Sequence, residues 1–536
     1  MSRVQENVIV SDLLPLVLDI AQSVLDQPVR PSDNFFSLGG DSMRAVEMMN
    51  TLEDRLGTEL DPSSIVDADD MAALATSVHS ALARHTADVD GLATDPAPLQ
   101  PPRPKLARLP DNTIAPWSYL QEYLWAAKER CPNPGWNILL TIRLLGDVDV
   151  AALRDAIAFL IQRHEILRTR LDEAGQHVAE AAETELPVTR LTSADPRHEL
   201  AEIARNQHRI CINLRCGPAI VPLLVRVAAD EHVLMLTLDH ASCDGWSIGI
   251  LLDELAAVYD TLAADGLPRL PPLPVRYRDF AAYQRDLAMA GLFDTQLDYW
   301  QRQLADLATE PMLPRRADAP ASPGYRSGLR SLDIEPELAE AVREHARSTG
   351  HTVFMVLLGT LMKSITAASG RTDVVVASMS GGRHYPEVED VVGMFANPWL
   401  LRVDVAAAAT YRELFDAVQS AMAGAYDHAT VPFPLVADRV GQHADRPEVW
   451  FNMAPPMSPS SRAGTVQTEP FSLPRNYVIE VPAAGWRGEN LLVNGMDTGE
   501  SLNLEFDYNT MLVEAATIDR LCATYLDTLR AVTRER

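Results

Sequence analysis

The stretch that most limits how this chain can fold is the passage from Val233 to Leu255. Val233-Leu234-Met235-Leu236-Thr237-Leu238 is apolar without alternation, which predicts a strand buried on both faces. Ile248 through Leu255 carries apolar residues at helical spacing, so an amphipathic helix follows, with Ser247 as its expected N-cap. A strand must therefore hand over to a helix across a short polar turn. That turn holds one imidazole, His240, and two carboxylates, Asp239 and Asp244. A packed strand and a packed helix hold such side chains still, which suits them to chemistry. A single histidine at a strand end is more often a structural hydrogen-bonding residue, so the rest of the chain must support a catalytic role.

At 536 residues the chain needs several packing units. Residues 1–85 form an acidic unit with 14 Asp/Glu against 5 Lys/Arg. Leu13, Val17, Ile20 and Val24 repeat at helical spacing, as do Val46, Met49 and Leu52, and Leu74, Val78 and Leu82. This predicts a small all-α bundle of four helices. Residues 86–113 contain six prolines and no periodicity. They read as an extended, semi-rigid linker that lets the helical unit move relative to the remainder of the chain. From Trp117 onward helical and strand patterns alternate in two blocks, which predicts two α/β lobes, at 114–290 and 291–536. The Pro/Ser-rich stretch 454–474 interrupts the second block and reads as an excursion over the surface or across to the first lobe.

The formal net charge of −28 argues against nucleic acid as a partner. No apolar run approaches the length of a membrane span, and no signal peptide pattern opens the chain. The five cysteines are scattered, without metal-ligand spacing, and read as reduced thiols of a cytoplasmic protein. No metal and no membrane are expected, and a monomer is.

Several motifs carry chemistry. Gly39-Gly40-Asp41-Ser42 places a serine hydroxyl at the start of a helix, where the positive helix end favours a phosphate diester. In the larger part, Trp117 to Trp125 is an opening helix motif, Arg163-His164-Glu165-Ile166-Leu167-Arg168-Thr169 a second, and Asp239-His240-Ala241-Ser242-Cys243-Asp244-Gly245 a third. Tyr277 to Ala281, Val392 to Asn397 and Val431-Pro432-Phe433 continue the series. Together these residues resemble a nonribosomal peptide synthetase fragment: a peptidyl carrier domain over 1–85, then a condensation domain over about 114–536. The condensation fold that the resemblance implies is two chloramphenicol-acetyltransferase-like lobes in a V, with a tunnel that admits carrier arms from opposite faces.

The resemblance implies that Ser42 carries 4′-phosphopantetheine and that His240 orients the attacking amine or relays its proton. It implies a structural role for Asp244, paired with an arginine, for which Arg383 is the best match and Arg402 the second. Gly245 is expected to relieve backbone crowding or to take a positive φ. Trp246 and Cys243 are expected to pack, and His164, His384 and His428 to be structural or tunnel-lining. Ser247, Asn397 and Trp399, with Pro398, are candidates for the acceptor wall. Departures from the family are Tyr123 in place of an arginine, Pro398 in place of a threonine, and Asp239 in place of the first histidine of His-His-x-x-x-Asp-Gly.

Asp239, Asp244 and Ser247 also satisfy the pattern of heterocyclisation domains, Asp-x-x-x-x-Asp-x-x-Ser. The ordinary type of the other motifs and the retained His240 argue for peptide-bond formation instead. A catalytically silent docking module that recruits a tailoring enzyme is the other alternative. The resemblance further implies an upstream adenylation domain and downstream carrier and adenylation domains as partners. It implies a phosphopantetheinyl transferase and carrier-bound aminoacyl and peptidyl substrates; the order carrier-then-condensation, with no epimerisation domain between, favours an L-configured donor without fixing its stereochemistry.

Overall fold

In the computed structural model the run Val233–Leu238 lies inside a sheet, with Leu234, Leu236 and Leu238 packed into one core cluster and Val233 and Met235 into another, which accounts for apolar residues on both of its faces. The structure describes residues 10–25, 27–35, 38, 48–49, 51–52, 55–56, 60, 62–65, 68, 70–89, 104–130, 137–180, 184–307, 310–320, 324–441, 447–454, 461–463, 466–470, 480–481 and 490–535. The strands of the first half are β1 (Asn137–Leu145), β2 (Thr169–Asp172), β3 (Gly175–Val178), β4 (Val188–Arg190), β5 (Ile220–Arg226) and β6 (Glu231–Asp239). Those of the second half are β7 (Tyr325–Ile334), β8 (Asp373–Ser380), β9 (Asn397–Asp404), β10 (Val449–Ala454), β11 (Ser461–Ala463), β12 (Val466–Pro470), β13 (Glu480–Val481), β14 (Leu491–Asp497) and β15 (Leu502–Asn509).

Two mixed sheets result, ordered β11-β12-β1-β6-β5-β4 and β13-β7-β15-β14-β10-β8-β9, with β2 and β3 as a separate hairpin. In the first sheet β6 pairs antiparallel with β1 and with β5, so that Asp239 stands opposite Asn137 at the end of the ladder. The second sheet is packed by the helices Val353–Ser369 and Ala515–Val532, whose buried residues include Leu357, Leu361, Leu521 and Tyr525. No single helix among the described residues is long and apolar enough to cross a membrane.

Within the interruption at 454–474, the described strands β11 and β12 belong to the sheet of the first lobe. β12 lies antiparallel to β1, Thr468 opposite Leu144, and β11 extends that edge. The second half of the chain thus contributes two strands to the sheet of the first half.

Two strands that the sequence pattern does not announce are β7 and β9. β7 reads Tyr-Arg-Ser-Gly-Leu-Arg-Ser-Leu-Asp-Ile, and most of its side chains are only part-buried, so its apolar signal is weak. β9 opens on Asn397-Pro398, residues that ordinarily mark turns.

In the N-terminal unit the helices Val10–Leu25 and Met71–Val89 pack together over Leu13, Val17, Phe35, Met48, Leu52, Leu74 and Val78. The turn Pro62–Ile65 rests against the helix Tyr411–Asp427 of the second lobe.

The linker expectation needs correction at both ends. The helix that starts at Met71 runs on to Val89, and residues 109–113 are fastened to the helix Tyr277–Met289. The Leu109 amide donates to Asp279 Oδ1 at 2.9 Å, and Arg276 donates to the Leu109 carbonyl and, at 2.7 Å, to Asp111. Arg278 donates to the carbonyls of Asp111 and Thr113, each at 2.9 Å. Buried guanidinium groups supply these bonds, so this end of the linker is fixed by charge-assisted hydrogen bonds rather than by proline stiffness.

Candidate active site

β6 ends at Asp239, whose side chain is fully buried and caps the short turn His240–Ser242 by accepting the Ala241 amide at 2.9 Å. Lys128, near the end of the helix Tyr119–Arg130, donates to the other oxygen of Asp239. His240 comes next. Its Nδ1 donates to the Cys243 carbonyl at 3.0 Å, which leaves the lone pair on Nε2. Burial pulls the imidazole below its ordinary pKa, so it is a neutral base at physiological pH. The side chain remains part-exposed.

Asp244, not Ser247, caps the helix Gly245–Ala263, and it accepts the Ser247 amide at 2.8 Å. The cap moves three residues upstream because the helix starts directly after the turn. Ser247 is then fully enclosed in the first helical turn. Its Oγ lies 2.7 Å from Asp244 Oδ1 and accepts the Gly393 amide at 3.0 Å. Ser247 is therefore part of an internal knot and does not line a wall.

The knot is completed by Arg383. Its Nη1 meets Asp244 Oδ2 at 2.9 Å, both side chains being almost completely buried, and its Nη2 donates to Ser247 Oγ and to the Val391 carbonyl. Asp244 Oδ2 also accepts the amides of Phe395 and Ala396 at 2.9 and 3.0 Å. Burial by itself would raise the Asp244 carboxyl; the Arg383 guanidinium and the Ser247 donors outweigh it and hold the group below the usual carboxylate range. A carboxylate with all its lone pairs engaged has no free site for proton transfer, so Asp244 is structural. It also joins the lobes, since Arg383 and residues 391–396 come from the second. Gly393 sits where a Cβ would stand 2.0 Å from the Tyr277 ring, which explains a glycine there. Arg402 plays no part in the knot and pairs with Asp373 at 2.8 Å.

The Gly245 expectation is corrected. Its backbone has no positive φ, and a Cβ there would meet nothing within 4 Å. The residue is exposed and leaves open space beside the His240 turn. Cys243 is fully buried and its thiol is pushed well up by burial, which makes it an inert packing group. Trp246 lies over the Arg383 guanidinium, 5.5 Å from its carbon.

Asn397 is buried and ties β9 to the next segment. Its Nδ2 donates to the carbonyls of Ala429 and Val431, and its Oδ1 accepts the Phe433 amide at 2.8 Å. With Ser118, Gln284, His384 and Thr430 it lines a narrow cavity between the lobes, behind the knot rather than at His240. Trp399 and Pro398 face the packing around His428 and Val436. His164 bonds Glu254 at 2.7 Å, and His428 stacks on Tyr299 at 3.8 Å and contacts the Gly424 carbonyl; both are structural. His384 is pulled down to about 4 by burial. Tyr123 sets its ring against Phe433 edge-on at 6.3 Å. Ser42 lies outside the described residues.

The residue that sequence reasoning missed is Lys128. Its signal lay in Asp239: a carboxylate at the end of a buried strand calls for a cation, but nothing in the spacing says which one.

Residues 111–535 match the family described as Condensation domain, and residues 15–78 the one described as Phosphopantetheine attachment site. The latter's group, 4′-phosphopantetheine, is carried on a serine. The chain is 31% identical over 97% of its length to a probable non-canonical nonribosomal peptide synthetase of Salinispora arenicola, and 29% identical over 96% to one of the subunits of the linear gramicidin synthase of Brevibacillus parabrevis. It spans only 7% and 6% of those proteins. Among solved structures, the X-domain from teicoplanin biosynthesis superposes with a TM-score of 0.71 at 23% identity, covering 81% of this chain and 98% of that one. At that identity the likeness shows the two-lobed fold alone.

Proposed function

The chain belongs to the condensation-domain family, with a phosphopantetheine-attachment unit ahead of it, and from this premise we propose that His240 serves peptide-bond formation between two carrier-bound substrates. The acyl group of a donor thioester passes to the amine of an aminoacyl group on a downstream carrier. The amine nitrogen attacks the carbonyl carbon, the C–S bond breaks, and the leaving thiolate takes up the proton that the amine loses. His240 orients the amine through its Nε2 lone pair and relays that proton. An α-amino group has a free pKa near 8, so part of it is neutral beforehand and orientation is the larger task. The observation that carries this reading is the fixed tautomer of His240, which spends Nδ1 on the Cys243 carbonyl, has no hydrogen-bond partner for Nε2 among the described residues, and is itself only half-buried.

Ser42 is the residue we assign to the cofactor, because a primary hydroxyl between Gly39-Gly40-Asp41 and a helical stretch has the chemistry to form a phosphodiester. When bound, 4′-phosphopantetheine supplies the thiol that holds the acyl group as a thioester. In this reading a phosphopantetheinyl transferase modifies Ser42, and adenylation domains of the same synthetase load the carriers, in the cytoplasm.

The test is a single-turnover reaction with mass-spectrometric detection, a loaded donor on Ser42 and seryl-N-acetylcysteamine as acceptor. An amide product is expected, reduced about 10²–10⁴-fold in His240→Ala. Full product in that variant would refute the role of His240. A product lighter than the amide by one water, closed into a ring through the seryl oxygen, would establish heterocyclisation instead, and absence of product would favour the docking module. With coenzyme A and the transferase, the mass increase should appear in the wild type and vanish in Ser42→Ala.

A further inference from the structure

We infer that Lys128 is a positioning residue for this reaction: with Asp239 it forms a buried ion pair that stands where the family has its first motif histidine, and it holds the His240 turn in an electrically neutral setting. The inference rests on the reading proposed above for His240.

The geometry starts from a substitution that ought to do harm. Asp239 adjoins the working imidazole, and its side chain is fully buried. An unpartnered carboxylate there would be strongly disfavoured, and its charge would favour a protonated His240. Two contacts prevent this. One oxygen accepts the Ala241 amide inside the His240 turn, and the other takes the Lys128 ammonium. Lys128 comes from a different element, the helix Tyr119–Arg130, and its side chain is about one-fifth exposed. That helix touches both the His240–Ser242 turn and the helix Phe433–Val440 of the second lobe. The ion pair therefore anchors the catalytic turn to an element that spans the cleft.

The charges that face His240 come from several elements. Asp244, on the turn itself, favours the imidazolium, but Arg383 from the second lobe stands against it. Asp239 at the end of β6 adds a second negative charge, and Lys128 cancels it. Lys128 itself opposes protonation of the ring. The imidazole thus meets two neutralised pairs rather than two bare carboxylates, and Nε2 keeps its lone pair. Burial pulls the Lys128 ammonium down to about 8, so this balance holds below that pH and weakens above it.

Histidine ¹³C NMR of the full chain reads the inference directly, with the His240 signal assigned from its loss in His240→Gln. In Lys128→Met a net negative charge remains beside the ring, and the His240 midpoint is expected to rise by about one pH unit. The acid limb of the amide-forming rate should move with it. Lys128→Arg keeps the charge and should restore the wild-type midpoint to a large extent. The double variant Lys128→Met/Asp239→Asn removes both charges and should bring the midpoint back towards wild type. A folded Lys128→Met whose His240 midpoint coincides with the wild type overturns the inference, because a merely structural lysine would leave the titration unmoved. Should Lys128→Met fail to fold, Asp239→Asn reads the same coupling with opposite sign. It leaves the ammonium unopposed, so the midpoint must fall, and an unchanged midpoint is again a refutation. If the wild type forms no amide at all, the function proposed above fails, while the titration still decides the role of Lys128.

Discussion

Asp244 and His240 lie four residues apart and face opposite problems. Asp244 sinks into the protein and spends every lone pair on Arg383, Ser247 and two backbone amides, whereas His240 spends one ring nitrogen on a carbonyl and has no partner for the other among the described residues. The motif made the difference in role legible, because one histidine and one Asp-Gly at fixed spacing matched a family pattern. It did not reveal Lys128, which lies more than a hundred residues away and meets Asp239 only through the fold. His384 offers a residue-level test of burial. Its Nε2 has no hydrogen-bond partner among the described residues, and burial holds the ring neutral down to about 4. Between pH 6.5 and 4 the unfolded chain binds a proton that the folded one refuses, so stability falls as the pH drops, by up to about 3 kcal/mol. In His384→Phe that contribution disappears. Urea titrations across this range should show a shallower loss in the variant, and parallel losses would exclude a buried neutral His384.

At the scale of elements, β12 is the most instructive. Its residues sit in a stretch whose prolines and serines suggested only a detour, with the first lobe as one of two destinations. The alternation Val466, Thr468, Pro470 is too short to identify a strand, and its partner β1 lies more than three hundred residues earlier. Residues 467–470 pair with β1 and Val466 with Ala463 of β11, which supplies the missing hydrogen bonds, and Val466 is buried. Val466→Asp should detach this edge, because it places a carboxylate in the core with no cation opposite. Hydrogen exchange at residues 142–145 and 466–470 should accelerate together by about tenfold or more, while the β5–β6 ladder stays protected. Exchange confined to 466–470 would show that β12 lends β1 no stability. β7 makes the complementary point: ten residues form a strand although only Ile334 is buried, since β15 pairs with residues 327–334 and β13 with residues 325–326.

For the whole molecule, the links between the lobes among the described residues include the Asp244–Arg383 knot, the exchanged strands β11 and β12, the helix Tyr119–Arg130 against Phe433–Val440, and Tyr277, whose hydroxyl donates to the Met394 carbonyl at 2.8 Å. The linker end, residues 109–113, is fastened to the first lobe through Arg276, Arg278 and Asp279. Asp279→Ala removes the acceptor of the Leu109 amide and one partner of Arg276. Trypsin should then cleave after Arg108 faster than in the wild type, at a loss of about 3–5 kcal/mol for breaking a buried pair. An unchanged cleavage rate would mean that the other bonds of Arg276 and Arg278 hold the segment without it. The sequence alone determined the order of units, the two α/β blocks and the chemical identity of the turn after β6, because these depend on periodicity and on residues adjacent in the chain. Tertiary structure decided which cation neutralises Asp239, which lobe receives 461–470 and where the linker stops being free. Each of those outcomes depends on charges and strand edges that are far apart in sequence and become neighbours only when both sheets are formed.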